Sequence, residues 1–279
     1  MRSGFVTLVG RPNVGKSTLV NAMCGRKVSI VSDKPQTTRH RVMGVLTTPE
    51  TQLVFVDTPG LHKPVTALGE RVNATALDSL SDVDVVCLVI DATAPFGRGD
   101  EWVARHIDMP RAVVVLNKVD AVSRNRVLEQ LAAASSLGAA AYFPVSARTG
   151  EGMQALVEHL RAQLPDGPQY FPDDVTSDQP EEQWVAELVR EQLLAVTRDE
   201  LPYSIATRVT EWEWPRIRVE ILVERESQKG MVIGKGGSVL KEVGRLARLQ
   251  MPEGVFLELV VKVDKDWQRR PDRVERLGY

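Results

Sequence analysis

Cysteine is nearly absent from this sequence: Cys24 and Cys87 are the only two in 279 residues. They lie far apart, with no CxxC spacing and no neighbouring His partner. That excludes a disulfide framework and a cysteine-based metal centre, and it reads as two reduced core thiols of a cytosolic protein. Long apolar runs are also missing. The longest predominantly apolar stretch, 83–90, falls well short of the ~20 residues that cross a bilayer. The N-terminal MRSGFVTLVG runs straight into a glycine-rich loop, so it reads as a first strand and not as a cleaved leader. Charge of one sign is lacking too. A formal net charge of −2 gives no global attraction to nucleic acid or acidic lipid, so any such partner must meet a local basic patch. What the chain does have is 43% apolar residues, enough to bury core in two domains and to exclude disorder of the whole.

Short apolar runs at 5–9, 42–48, 53–56, 83–90, 112–116 and 141–145 predict strands. Helical periodicity over 18–25, 67–80, 100–106, 124–135 and 153–164 predicts helices between most of them. This alternation implies an α/β domain with a mostly parallel sheet covered on both faces and its ligands beyond the strand C-terminal ends. Only a few residues around Pro49 separate the second and third runs, which suits an antiparallel edge hairpin. Four prolines and several aspartates over 165–180 have the composition of a solvated connector. The chain therefore divides into 1–164, a linker at 165–180 and a smaller α+β domain at 181–279. Within the latter, a helix over 181–198, strands near 204–211 and 217–224, two short helices flanking GKGG and a strand over 256–263 are predicted.

Gly10, Arg11, Pro12, Asn13, Val14, Gly15, Lys16 and Ser17 spell GRPNVGKS between a predicted strand and a helix opening at Thr18. Glycines at this spacing permit a tight turn whose backbone amides, from Asn13 to Ser17, cradle phosphates at a helix N-terminus. Lys16 would bridge the terminal two phosphates and the Ser17 hydroxyl would bind Mg²⁺. Asp57, Thr58, Pro59 and Gly60 follow the third strand, where the carboxylate could hold Mg²⁺ and the Gly60 amide could approach the γ-phosphate. Asn117, Lys118 and Asp120 follow the fifth strand. A carboxylate at Asp120 can accept from both N1–H and the 2-amino group of guanine, a donor pair that adenine lacks. Ser146 and Ala147 follow the sixth strand, where a backbone amide could reach the guanine carbonyl. Each motif alone is also compatible with an ordinary turn. Their joint order resembles a small GTPase of the translation-factor-related class, which implies GTP and GDP as ligands.

Ras-type members of that class carry a water-orienting Gln where this chain has Leu61. Hydrolysis is then expected to rest on Mg²⁺, Lys16 and main-chain donors, and to be slow until something else contributes. A related subgroup uses K⁺, held by an Asn at the position of Asn13 and by loop carbonyls, here near 33–36, ahead of a Thr-Thr-Arg element that Thr37-Thr38-Arg39 resembles. Plain loop geometry for Asn13 is the other reading, and both stay open. The same resemblance implies Thr38, in preference to Thr37, as a Mg²⁺ ligand of the triphosphate state and 27–41 as a switch segment. Lys16, Thr38 and Gly60 are thus the catalytic candidates, and Ser17, Thr38 and Asp57 the metal ligands. His62 is expected to be solvent-exposed, with no catalytic role.

In the second domain, GKGG between two helices matches the order of a type II KH domain, whose GXXG loop clamps single-stranded RNA. Lys229, Lys235, Lys241, Arg245 and Arg248 face one acidic neighbour, Glu242, over 229–248. Bases would pack near Val232 and Ile233 while phosphates meet Gly234, Lys235, Gly236, Gly237, Lys241 and Arg245. Trp212, Trp214 and Trp267 are assigned to packing. QTTRHR, DTPGLH, LPYS, LVERE and KGMVIGKGG, in this order along the whole chain, resemble the bacterial Era GTPase family. That resemblance implies a monomeric cytosolic protein that binds the 3′ region of small-subunit ribosomal RNA during maturation of the small ribosomal subunit. It leaves a peripheral contact at the inner membrane face open. Two departures from the family are a shorter turn around Trp212–Arg216 and an end at LGY without further residues. A signalling GTPase with a protein- or membrane-docking second domain is the rival reading, and Asp120 disfavours an ATP-using enzyme.

Overall fold

The computed structural model describes residues 1–197 and 201–279. They sort into two compact units: Met1–Val31, Thr38–Pro64 and Arg71–Asp178 form one, and Gln179–Tyr279 with Ser32–Thr37 and Val65–Glu70 forms the other.

The first unit runs β1 (Arg2–Val9), α1 (Lys16–Cys24), β2 (Val42–Thr47), β3 (Thr51–Asp57), α2 (Ala67–Asp78, whose first turn falls in the second unit), β4 (Val85–Asp91), α3 (Arg98–Ala104), β5 (Val113–Asn117), α4 (Arg124–Ala134), β6 (Ala141–Pro144) and α5 (Met153–Gln163). The sheet order is β2-β3-β1-β4-β5-β6, parallel except for the antiparallel β2–β3 hairpin at the edge. Alternation along the strands sorts side chains to two faces. Val6, Leu8, Cys87, Val89, Val113 and Val115 pack with Leu19 of α1 and Leu156 and Leu160 of α5. Leu88, Ile90, Val114 and Leu116 pack with Ala76, Val103 and Ala134 on the other side. Both cysteines are free thiols whose pKa burial pushes up to about 12.

Two boundaries move for identifiable reasons. α1 starts at Lys16, two residues earlier than predicted, because Gly15 takes the left-handed N-cap conformation at φ 95°. The proline-rich stretch after α5 is solvent-facing but pinned. Asp166 bridges to Arg2 and Ser177 to Gly44, the Ser3 hydroxyl donates to Pro168 O at 2.6 Å, and the Arg26 guanidinium donates to Thr176 Oγ1 at 2.8 Å. Gln52, fully buried, donates to Phe171 O and Thr47 Oγ1 and accepts from the amides of Tyr170 and Phe171, which saturates its amide group. Prolines block regular structure here, so the segment satisfies its backbone on the β2–β3 edge and not in a ladder of its own.

The second unit runs α6 (Glu181–Val196), α7 (Leu201–Ser204), β7 (Ala206–Glu213), β8 (Arg216–Val223), α8 (Glu226–Ile233), α9 (Ser238–Arg248), β9 (Phe256–Val263) and α10 (Pro271–Arg276). Of the helix predicted over 181–198, Arg198 lies outside the described residues. The three-stranded sheet is ordered β7-β8-β9, antiparallel then parallel. Val185, Val189 and Leu193 of α6 meet Val219, Ile221, Val243 and Ala247 in its core. Trp267 is fully buried, with its indole N–H on Ser204 O at 3.0 Å, and Trp214 is exposed. No helix among the described residues is long and apolar enough to cross a membrane.

Candidate nucleotide site and RNA interface

The phosphate loop leaves β1 and turns at two glycines that permit close approach. A Cβ at Gly15 would lie 2.3 Å from Asn117 Nδ2, and one at Gly10 would lie 2.5 Å from Val89 O. Asn117, at the end of β5, donates to Val14 O at 3.0 Å. Lys118 donates to Asn13 O and to Asp91 Oδ2, both at 2.6 Å. Val14 is in the core, while Asn13 is exposed at φ 66°. Arg11 pairs with the buried Asp100 of α3 at 3.4 Å. The loop is thereby held open as a row of amides ahead of α1, the geometry that binds anions. Lys16 is 6% exposed and folds back to donate to Gly10 O and Arg11 O at 3.3 and 3.2 Å. Burial pushes its pKa down to about 8, against the pull of Asp57.

Behind the loop three oxygen groups converge. Ser17 Oγ lies 2.8 Å from Thr38 Oγ1, which donates to Asp57 Oδ2 at 3.5 Å. Asp57 is fully buried, its Oδ1 has no hydrogen-bond partner, and burial raises its pKa. Two hydroxyls and a buried carboxylate with an unanswered oxygen fit a small hard cation, Mg²⁺. No cluster of three or more His, Cys, Asp or Glu offers a metal site elsewhere among the described residues.

The segment after Asp57 packs against the phosphate loop. Thr58 donates to Leu8 O at 2.6 Å, Pro59 is buried, and a Cβ at Gly60 would come within 2.7 Å of Pro12 Cα. Leu61 donates its amide to Gly10 O at 3.1 Å, and its side chain, 2% exposed, joins the core around Val9 and Ile90. The residue in the Gln position therefore faces away from the loop. His62 is not exposed as expected. It is half-buried, with Nδ1 against Gly60 O at 3.0 Å and its amide donating to Asn73 Oδ1, because the turn after Gly60 folds its ring back onto the main chain.

At the base-recognition end, Asp120 Oδ1 accepts from the Ser146 hydroxyl and Oδ2 pairs with Arg148 Nη2, each at 2.6 Å. The Ser146 hydrogen bond, with Arg148, holds the carboxyl below its usual range, so it is a charged acceptor at neutral pH. The Ser146 amide donates to Glu151 O and that of Ala147 to Asn117 Oδ1. Both amides of the pair from which one was expected to reach the guanine carbonyl are thus engaged in closing the loop, and Ser146 bonds Asp120 through its hydroxyl.

In the second unit, α8 ends at Gly234, with φ 73° and ψ 169°, a conformation essentially reserved for glycine. Gly236 and Gly237 follow at φ 61° and 77°. A Cβ at Gly236 would meet nothing within 4 Å, whereas one at Gly234 would lie 2.6 Å from Val239 Cγ2. Lys235 and Lys241 are exposed. Arg245 spends its guanidinium on Glu242 in a two-point pair at 2.9 and 2.7 Å. Val232, expected to line a groove for bases, is fully buried in the core, since it falls on the inward face of α8. Of the two apolar residues only Ile233 presents surface.

A family model described as a 50S ribosome-binding GTPase matches residues 5–118, and one described as a KH domain matches 200–268. GTPase Era of Mycobacterium sp. (strain KMS) is 48% identical, with 100% of this chain and 99% of the relative covered. The chain belongs to the Era family of GTPases. The Era of Heliobacterium modesticaldum is 44% identical over 100% of this chain and 97% of its own. A crystal structure of Era in complex with MgGDPNP and nucleotides 1506–1542 of 16S ribosomal RNA superposes with a TM-score of 0.96 at 39% identity, covering 100% of this chain and 99% of that one. A variant of Aquifex aeolicus Era bound to GDP and aluminium fluoride gives 0.94 at 39% identity, with the same coverage.

The Era-family motifs pick out the loop, the three convergent oxygen groups of Ser17, Thr38 and Asp57, and Asp120 from sequence. Asp91, Asp100 and Arg148 escaped, because each acts through a partner distant in sequence or at a position with no motif. For Arg148 a signal existed: a cation one residue beyond Ser146-Ala147.

Proposed function

We propose that this chain binds and hydrolyses GTP with Mg²⁺ and binds the 3′ region of small-subunit ribosomal RNA through its GKGG loop, acting in assembly of the small ribosomal subunit. The observation that carries this is the pairing, in one chain, of the convergent Ser17, Thr38 and Asp57 oxygens with an exposed, glycine-strained GKGG turn. A relative solved with both MgGDPNP and a 16S ribosomal RNA fragment aligns with the chain over its full length.

In this reading the amides of Asn13 to Thr18 hold the phosphates, and Lys16 leaves its loop carbonyls to meet the terminal two. Ser17, Thr38 and Asp57 hold Mg²⁺, which when bound supplies neutralisation of charge on the phosphate oxygens. Gly60 offers its amide beside Pro12. Asp120 accepts the two guanine donors, in place of or together with Arg148. Asn117 and Lys118 brace the phosphate loop. With Leu61 turned into the core, no side chain there orients the attacking water, and turnover is slow. Asn13, exposed at φ 66°, supports stimulation by K⁺. Single-stranded RNA lies along Ile233, Gly234, Lys235, Gly236, Gly237 and Lys241, with Arg245 at its edge and Val232 stiffening the turn from below. The protein acts as a cytosolic monomer, and peripheral membrane contact is the finer alternative.

Steady-state hydrolysis in matched KCl and NaCl buffers, together with RNA binding over a salt series for the native chain and Gly236→Asp, tests this reading. Guanine-selective, Mg²⁺-dependent and K⁺-stimulated turnover is expected, with salt-sensitive RNA binding that the substitution removes. Equal rates in the two salts remove the K⁺ role. RNA binding absent from both proteins, with nucleotide binding intact, moves the second domain to protein or membrane docking.

A further inference from the structure

The chain just after α1 is fastened to that helix by one side chain. Asn21 accepts from the amides of Val28 and Ser29 at 2.8 and 2.9 Å and donates from Nδ2 to Ser29 O at 2.8 Å. Three hydrogen bonds to a single carboxamide fix the backbone at Ser29. Asn21 lies four residues after Ser17 in α1, and side chains at that spacing share one face of a helix. The clamp therefore sets Ser29 beside the corner where Ser17, Thr38 and Asp57 converge.

Ser29 is 3% exposed, and its hydroxyl oxygen is buried with no hydrogen-bond partner. A buried hydroxyl left unanswered destabilises a fold in a way that an alanine does not, so packing gives no reason for a serine here. The same corner holds a second such atom, Asp57 Oδ1. The hydroxyls of Ser17 and Thr38 lie against one another, and Thr38 reaches only Asp57 Oδ2. Burial raises the Asp57 pKa, and Ser17, Lys16, Ser29 and Thr38 pull against it, so the Ser29 hydroxyl stands near enough to favour the charged carboxylate. Two unanswered oxygens in one buried corner match what a hydrated cation brings. Mg²⁺ keeps several of its waters when bound, and each such water has two protons to place on acceptors.

We propose that Ser29 is a positioning residue of the Mg²⁺ site: its hydroxyl oxygen and Asp57 Oδ1 together accept the protons of one water in the cation's shell, which keeps the carboxylate turned to the metal. The inference rests on the GTPase reading above. It makes the Asn21 clamp part of the metal site, since that clamp holds Ser29 in place. Outer partners of this kind are worth roughly ten- to a hundredfold in metal affinity.

The test uses the full chain, native and Ser29→Ala. A fluorescent non-hydrolysable GTP analogue is titrated onto each over a series of Mg²⁺ concentrations and in EDTA, and melting is followed without nucleotide or metal. Ser29→Ala is expected to raise the Mg²⁺ concentration for half-maximal tightening of the analogue about tenfold or more, with affinity in EDTA within about twofold of native. The melting temperature of the bare protein is expected to be unchanged or higher, because an unanswered hydroxyl has been removed. An unchanged Mg²⁺ requirement overturns the proposal. So does a bare variant that melts lower or binds the analogue more weakly in EDTA, which makes Ser29 a part of the fold alone. Native protein whose analogue binding is indifferent to Mg²⁺ fails the functional reading instead, and the two failures are thereby told apart. If Ser29→Ala does not fold, Ser29→Cys, with a weaker donor and acceptor in the same place, decides by the same comparison.

Discussion

The two ligand-facing loops are both glycine turns next to a helix N-terminus, yet they are built in opposite ways. The phosphate loop is fastened from a distance: Asn117 on Val14 O, Lys118 on Asn13 O, Arg11 on Asp100, and Gly60 against Pro12. Lys16 and Asp57 beside it are buried with shifted proton affinities. The GKGG turn is fastened only locally, by the amides of Gly234 on Gly230 O and of Gly237 on Gly234 O and by the close packing of Gly234 on Val239, and its lysines, Lys235 and Lys241, are exposed. A buried, preorganised site holds a small anion tightly and cannot be altered without disturbing the fold. An exposed turn attracts a long polyanion through amides and salt-sensitive charge, and can be altered alone.

The sharpest way to break this contrast is Gly15→Ala. The new methyl would press on Asn117 Nδ2 and force an alanine to φ 95°, a strain of about 1–3 kcal/mol before any clash. Calorimetry should show GTP and GDP affinity falling at least about a hundredfold, together with a lower melting temperature. Unchanged affinity would mean the loop is not held by Asn117.

Next is Asp120→Ala, which leaves the guanine donors unanswered. GTP affinity should fall roughly ten- to a hundredfold while ATP affinity changes little, so ATP competes far better and nucleotide selectivity collapses in a competition assay. A variant that still excludes ATP would place guanine recognition elsewhere.

Gly236→Asp should act on the other loop alone. Aspartate tolerates left-handed backbone, and a Cβ there meets no atom within 4 Å. RNA binding should drop about tenfold or more by charge repulsion at phosphates, while GTP affinity and melting temperature stay near native. A large loss of stability would show that the turn is braced after all.

The smallest effect is expected from Arg245→Ala compared with Lys235→Ala. Because Arg245 is already paired with Glu242, its removal should weaken RNA binding only about two- to threefold, less than removal of Lys235, and flatten the salt slope by less than one ion. Equal slopes for the two variants would mean that the pair opens on RNA.

What could be read from the residues follows the same division. GRPNVGKS, DTPG, NKVD and GKGG are local, and each sits at the end of a regular element whose period announces it, so the alternation of strands and helices, the mostly parallel sheet, the edge hairpin and both loops were legible. The exceptions are long-range. Asn117 reads only as part of the nucleotide-site motif in sequence, and in the structure it braces a loop 103 positions away. The proline-rich 165–180 segment reads as a solvated connector, yet much of it is held by Gln52 of β3, Ser3 of β1 and Arg26 just after α1. Val232 looks like a groove residue until the facing of α8 is known, and the burial of Leu61 follows only from the turn after Gly60. α10 is too short to carry a periodic signal. Arg190, in an amphipathic helix, gave no hint of burial, because its partner carbonyl belongs to a residue 153 positions earlier.

The most direct measurement of the proposed function, one chain that binds GTP with Mg²⁺ and binds RNA through its GKGG loop, is the affinity for a ribosomal RNA 3′-end fragment at fixed salt, with GDP and with a non-hydrolysable GTP analogue and Mg²⁺, for the native chain and Gly236→Asp. The expected result is RNA binding by the native chain that falls about tenfold or more in Gly236→Asp although that variant still binds both nucleotides. Equal RNA affinity in the two proteins, or none in either, would contradict the reading and take RNA binding away from the GKGG loop.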